Sequence, residues 1–256
     1  MLVVQGIAFS YGHRDVLKGI NLEVKSGEVV SILGINGSGK STLLRTINRI
    51  LKPRLGTVFI EGRDIADMNR NDIAANIGYM PQKSNGVFCT VFDAVLLGRK
   101  PYIKWNVQQK DIEIASRILR LMGIEGYAMR YTNELSGGEL QKVIIARALA
   151  QEPKVLLLDE PINHLDIKNQ LEVMGMIRDI TLRLNIATVI VMHDINTALR
   201  YSDKFIMIKN GVIYASGGRE IINDKNIKEV FNIEAILSEI DGIPLIVPHL
   251  SVSKNI

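Results

Sequence analysis

Val29-Val30-Ser31-Ile32-Leu33-Gly34-Ile35-Asn36-Gly37-Ser38-Gly39-Lys40-Ser41 decides the fold. Val29–Leu33 is an uncharged run that reads as a short buried strand. Gly34 to Ser41 fits the pattern G-x-x-x-x-G-K-[ST]. The helical spacing Leu43, Leu44, Ile47, Ile50, Leu51 follows it. In a strand–loop–helix setting, the glycines let backbone N–H groups turn inward around phosphate oxygens, and the helix start adds the positive end of its dipole. Lys40 is placed to neutralise β- and γ-phosphates, and the Ser41 hydroxyl to ligate Mg²⁺.

Working outward, Leu2–Phe9 and Ile20–Val24 are strand-like, with a turn at Lys25-Ser26-Gly27. Thr57–Ile60 is a further strand that turns at Glu61-Gly62. From about Val91 to Gln151 the periodicity is mostly helical. Ile112, Ala115, Ile118, Leu119 and Met122 share one helix face. The α/β pattern then resumes with Val155–Leu158 and Thr188–Met192, apolar runs of the kind found in parallel strands covered on both faces. Phe205–Ile208 and Val212–Ala215 flank Asn210-Gly211, a hairpin turn. These readings predict an α/β nucleotide-binding core with a β subdomain over residues 1–85 and 151–216. A helical subdomain is expected over 86–150 and a mixed C-terminal appendix over 217–256.

Two further stretches carry chemistry. Lys154-Val155-Leu156-Leu157-Leu158-Asp159-Glu160-Pro161 is an apolar strand ending in two carboxylates, and such groups project into the ligand crevice at the carboxyl end of a parallel strand. Asp159 is suited to hold Mg²⁺ and Glu160 to polarise an attacking water as general base. Leu135-Ser136-Gly137-Gly138-Glu139 opens a helix. Ser136 and Glu139 stand at capping-box spacing, which needs no function. The paired glycines also permit close approach to a phosphate. Both readings can hold at once.

Bulk properties narrow the class. Lys plus Arg number 31 and Asp plus Glu 27, a mild basic excess of four. No run of five basic residues marks a nucleic-acid footprint. A basic surface is also compatible with an anionic cytoplasmic leaflet. One cysteine, Cys89, excludes an internal disulfide and a cysteine metal cluster, and fits a reducing cytosol. The N-terminal MLVVQGIAFSYG lacks the features of a signal peptide. No apolar run reaches the ~18 residues that span a bilayer, so any membrane role is expected to be peripheral.

In this order, a phosphate loop, LSGGE and LLLDEP resemble the ATPases of the ABC family. The resemblance implies a P-loop core with an antiparallel β subdomain and a helical insert. It implies ATP held by Tyr11, Gly34, Asn36, Gly37, Ser38, Gly39, Lys40, Ser41 and Thr42. Tyr11 would stack on adenine, the alternative being a core strand tyrosine. Mg²⁺ would be held by Ser41, Gln82 and Asp159, with Glu160, His193, Gln82 and Lys40 as the catalytic set. Ser136, Gly137, Gly138 and Asp166 would face ATP held by a second copy, in a head-to-tail pair. Ile35 and Ile162 depart from the family pattern, which often has proline and Thr or Ser there.

Softer matches favour an importer subunit. Thr90–Arg99, His193–Ala198 with Tyr201-Ser202-Asp203, and Glu229-Val230-Phe231 leading to Ile243–Pro248 resemble the iron-chelate, haem and cobalamin importer branch. That branch implies integral membrane permease subunits, an external substrate-binding protein, a peripheral place on the cytoplasmic face, and no nucleic acid. Phe88, Tyr102 and Trp105 are expected to meet a permease segment or simply to pack. The alternative is a soluble, non-transport ABC ATPase, for example in iron–sulfur cluster assembly.

Overall fold

The computed structural model describes residues 1–82, 88–240 and 242–249, so the expected 85/86 boundary lies outside the described residues. The chain begins β1 (Leu2–Tyr11), β2 (Arg14–Val24), β3 (Val29–Leu33), α1 (Lys40–Ile47), β4 (Leu55–Ile60), β5 (Arg63–Asp64), α2 (Arg70–Asn76) and β6 (Ile77–Met80). Three helices follow, α3 (Val91–Leu96), α4 (Gln109–Leu121) and α5 (Gly137–Leu149). The second half runs β7 (Val155–Asp159), α6 (Ile167–Arg183), β8 (Ala187–Val191), α7 (Ile195–Tyr201), β9 (Lys204–Lys209) and β10 (Val212–Gly217). It closes with α8 (Asp224–Phe231), β11 (Glu234–Ile240) and β12 (Ile243–His249).

The central sheet has the order β10-β9-β3-β8-β7-β6. Its β9-β3-β8-β7-β6 neighbours are parallel, and β10 joins antiparallel through the Asn210-Gly211 turn, where both residues have positive φ. Side chains sort by parity along these strands. Leu156, Leu158, Phe205 and Met207 enter one core with the helices α3 to α6. Val155, Leu157, Ile206 and Ile208 enter a second core with α1 and the antiparallel sheet β2-β1-β4-β5. Both faces are therefore buried, which explains the continuous apolar runs.

Three local readings need correction. The helix after the phosphate loop stops at Ile47, not at Leu51. Arg49 takes φ 53 and its guanidinium Nη1 donates to the carbonyls of Ile65, Ala66 and Met68, which turns the chain away and leaves Ile50 exposed. On α4 the inward face holds Ile114 rather than Ile112, which is 37% exposed. Strand β2 begins at Arg14, six residues before the apolar run that signals it, because a tight turn at Gly12-His13 pairs Tyr11 with Arg14.

Asp203 ties α6 to the core sheet. Its Oδ2 accepts from the Val29 N–H at 2.9 Å and from Arg178 Nη1. Burial alone would raise its pKa, but these donors outweigh it and hold the carboxyl below its usual value. The stability it supplies is complete above the unfolded value of about 3.9 and is lost as pH falls through the lower folded value. Asp203→Asn keeps the acceptor for Val29 and loses the charge. It is expected to cost about 0.2–1 kcal/mol at pH 7, a difference that closes in thermal melts taken below the folded pKa.

Two other contacts link parts of the chain. Arg99, buried between α3 and α4, donates through Nε to Asp111 Oδ1 at 3.1 Å and through Nη1 to the Ala150 carbonyl at 2.8 Å and Glu152 Oε2 at 3.0 Å. Asn196 on α7 accepts from the Ile246 N–H at 2.7 Å and donates to the Ile246 carbonyl at 3.0 Å, fastening β12 to that helix. Among the described residues no helix is long and apolar enough to cross a membrane.

Candidate functional site

The loop between β3 and α1 opens onto a cleft of about 770 Å³ at the carboxyl ends of the core strands, within the usual range for small-molecule sites. Gly34 has φ 153, and a Cβ there would lie 2.5 Å from the Ile208 carbonyl. The loop therefore hugs β9, and only glycine fits. Lys40 is 5% exposed and donates to the Gly34 and Ile35 carbonyls at 2.8 and 2.9 Å. Burial lowers its pKa, against the pull of Glu160 and Asp159.

Beneath the loop, Ser41 Oγ donates to Asp159 Oδ1 at 2.9 Å. Asp159 Oδ2 is buried with no hydrogen-bond partner among the described residues, and so is Ser38 Oγ. Burial raises the Asp159 pKa; the Ser41 hydrogen bond opposes this and the Glu160 charge adds to it. A buried, unpartnered carboxylate oxygen beside a hydroxyl is a costly arrangement for the protein alone. It is the hard oxygen donor set that a divalent cation such as Mg²⁺ takes.

Glu160 follows β7 in the left-handed region, φ 55, and is 8% exposed. Gln82 Nε2 donates to its Oε2 at 2.6 Å, Asn163 Nδ2 donates to the same oxygen, and His193 Nε2 contacts Oε1. A non-glycine residue in that backbone region is strained and is held only where its surroundings over-determine it. Three polar side chains from three segments converge on one carboxylate facing the cleft.

Tyr11, Asn36, Gly37, Gly39, Lys40, Ser41, Thr42, Gln82, Glu160 and His193 all line the cleft. Gly34, Ser38 and Asp159 lie just behind it. Tyr11 is not a core strand tyrosine: it is 48% exposed at the end of β1, edge-on to Phe9 at 4.8 Å. Arg14, Val16, Asn163 and His164 also line the cleft, beyond the residues that the motifs indicate. Val16 comes in because β2 begins early, and Gly39 packs under its carbonyl, where a Cβ would sit at 3.1 Å. Asn163 stands beside Asp166 in Asn163-His164-Leu165-Asp166, and its position three residues past Glu160 was the available signal.

Ser136, Gly137, Gly138 and Asp166 do not line this cleft. Ser136 caps α5 and shares a capping box with Glu139. The Ser136 N–H and hydroxyl, both 2.8 Å from Glu139 Oε2, depress that carboxyl's pKa. Asp166 caps α6 and accepts from the Asn169 N–H and amide at 2.8 Å, which lowers its pKa. A Cβ on Gly138 would lie 2.5 Å from Asn169 Oδ1. The capping-box loop and the Asp166 turn are thus one contiguous surface, set apart from the cleft, and Gly138 is glycine for packing within the chain.

Comparison with known proteins agrees with this geometry. The family model for the ABC transporter matches residues 17–163. An uncharacterised ABC transporter ATP-binding protein of Methanocaldococcus jannaschii is 61% identical over 97% of this chain and 98% of its own length. The petrobactin import ATP-binding protein FpuD of Bacillus anthracis is 36% identical over 97% and 93%. A solved metal-chelate type ABC transporter in an inward-facing conformation superposes with TM-score 0.84 at 28% identity, covering 97% and 96%. A dimeric cassette in a post-hydrolysis state, bound to ADP and phosphate, superposes at 0.73 with 31% identity, covering 85% and 98%. With a phosphate loop, a carboxylate pair and a helical insert folded as in those cassettes, the chain belongs to the ABC transporter family as an ATP-binding, ATP-hydrolysing subunit.

Proposed function

We propose that this subunit powers an importer of a metal chelate, of the iron–siderophore, haem or cobalamin kind, through a separate permease. The observation that carries this reading is the extent of the likeness to petrobactin import ATP-binding proteins. It covers 97% of the chain and so runs through the tail as well as the nucleotide motifs. The partners are integral permease subunits and, indirectly, an external substrate-binding protein. The subunit then lies on the cytoplasmic face of the membrane. Trp105 and Phe88, 94% and 74% exposed, with Phe88 stacked on Tyr131, suit a permease segment. Tyr102 is 42% exposed and also packs, its hydroxyl donating to the Gln151 carbonyl at 2.7 Å.

In the mechanism, Lys40 leaves the Gly34 and Ile35 carbonyls for the β- and γ-phosphates of ATP. Ser41, Asp159 and Gln82 would hold Mg²⁺, which offsets charge on the phosphate oxygens when bound. Glu160 accepts the proton of the attacking water. Gln82, Asn163 and His193 keep its carboxylate turned to the cleft, and His193 reports the γ-phosphate. The surface formed by Ser136–Gly138 and Asp166 meets the cleft of a second copy, so ATP glues the pair and hydrolysis loosens it.

Lys40→Ala is expected to weaken ATP binding about 10–100-fold, the worth of hydrogen bonds to a charged group, as read by titration calorimetry. The transport role is tested by recovering tagged Glu160→Gln protein from detergent-solubilised membranes of its own cells and identifying what accompanies it. A polytopic permease supports the importer reading. Soluble assembly factors alone would overturn it and leave the ATPase assignment standing.

A further inference from the structure

Gln141 lies near the start of α5, and its side-chain amide reaches out of the helix to two other segments. Nε2 donates to the Pro161 carbonyl at 2.5 Å and to Met80 Sδ at 3.2 Å. We propose that Gln141 is a positioning residue for ATP hydrolysis, holding in place the two backbone segments that bring Gln82 and Glu160 together. This role rests on the reading of Glu160 as general base.

The two acceptors adjoin that pair in the chain. Met80 ends β6, two residues before Gln82, and Pro161 directly follows Glu160. Gln82 in turn donates to Glu160 Oε2 at 2.6 Å. The contacts therefore form a closed circuit: from Gln82 to Glu160, along the chain to Pro161, across to Gln141, and back through Met80. Both hydrogens of the Gln141 amide are used in it. The reversed amide would set its oxygen against the Pro161 carbonyl, so the hydrogen-bond chemistry fixes its orientation.

Glu160 needs outside support. Its backbone stands at φ 55, whereas a residue before proline favours extended backbone. Strained backbone persists only where its surroundings over-determine it. The Glu160 N–H donates to the Val191 carbonyl at 3.1 Å, which ties the near side of the residue to β8. On the far side Pro161 has no N–H to give, and its carbonyl takes no backbone donor among the described residues. Gln141 supplies the donor there.

The helix does not depend on this amide for its seat. Val143, Ile145, Ala146, Ala148 and Leu149 of α5 are buried in the core, whereas Gln141 is half-buried. A carboxylate that drifts from the attacking water loses proton transfer, while ATP stays bound by the phosphate loop. Gln141 therefore acts on kcat rather than on KM.

The test is steady-state ATP turnover of the full chain, with a thermal melt of each variant. Gln141→Met keeps the length of the side chain and loses the donor. It is expected to lower kcat about 3–10-fold, the worth of one hydrogen bond, with KM for ATP and the melting temperature near wild type. Gln141→Glu keeps the shape and turns an acceptor on the Pro161 carbonyl, so its kcat is expected to fall further. Gln141→Met is also made in Glu160→Gln protein, and single-turnover rates are compared. No additional loss is expected there, because a group that acts through Glu160 has nothing left to position. Wild-type kcat in Gln141→Met overturns the proposal. So does an equal loss in both backgrounds, a rise in KM without a fall in kcat, or a kcat that falls only as the melting temperature falls. With Glu160→Gln inactive, each of these results leaves Glu160 standing as general base. Glu160→Gln protein that turns over like wild type overturns both readings.

Discussion

Glu160→Gln is expected to lower steady-state ATP turnover by about 10²–10⁴-fold while ATP still binds and a nucleotide-dependent dimer accumulates. The geometry explains why this substitution is gentle on the site and severe on the chemistry. Glu160 Oε2 takes both amide donors, from Gln82 and Asn163, and Oε1 faces His193. A glutamine placed there can keep its carbonyl oxygen toward the two amides and donate its own NH₂ to an unprotonated His193 Nε2. The left-handed backbone at the position is unaltered. What disappears is the carboxylate that accepts a proton from water. ATP then persists between two copies, and size exclusion with saturating ATP and Mg²⁺ should show a dimer. A purely monomeric elution would sink the head-to-tail reading.

Arg99→Met is expected to destabilise the fold by about 3–5 kcal/mol, a large share of the ~5–15 kcal/mol that holds a domain together. Arg99 is 2% exposed and Asp111 4%. Methionine fills much of the space and leaves Asp111 Oδ1 and the Ala150 carbonyl buried without the guanidinium donor. The aromatic face of Tyr102, 3.9 Å from the guanidinium carbon, loses its cation too. Urea denaturation should show a lower midpoint at unchanged slope. Adding Asp111→Asn should recover part of the loss, because it removes the stranded charge while keeping an acceptor for the Gln108 N–H. Full additivity of the two costs would show that the pair does not interact.

These two positions mark how far the sequence could be read. Glu160 was legible because an apolar strand ending in two carboxylates has few other uses beside a phosphate loop. Arg99 was not: a single arginine after Gly98 has no period or partner in the sequence, and its acceptors lie 12, 51 and 53 residues away. The core strands were legible because burial on both faces writes continuous apolar runs. Arg14–Gly19 was not, since that half of β2 is held by pairing with β1 rather than by its own composition. Ile114 and Ile112 both suit a helix, and two residues of phase, about 200° around the axis, decide which faces inward. The cleft lining that escaped notice, Val16 and Arg14, arrives from the antiparallel sheet, which sequence proximity to the phosphate loop does not indicate.

The Asn196 contact has a mechanical consequence. A side-chain amide that pairs with both the N–H and the carbonyl of one strand residue stands in for a neighbouring strand. It fixes the β11–β12 hairpin three residues beyond His193, on the helix that His193 leads into. The two hydrogen bonds therefore make the hairpin follow the position of α7, whose first turn comes directly after His193 and Asp194. The hairpin is anchored on α7, outside the cleft lining, and its tip carries Ile240 and Ile243 outward. A spectroscopic label at its tip would therefore follow α7: a signal that changes when ATP is added shows that the helix moves, and an unchanged one shows that it does not.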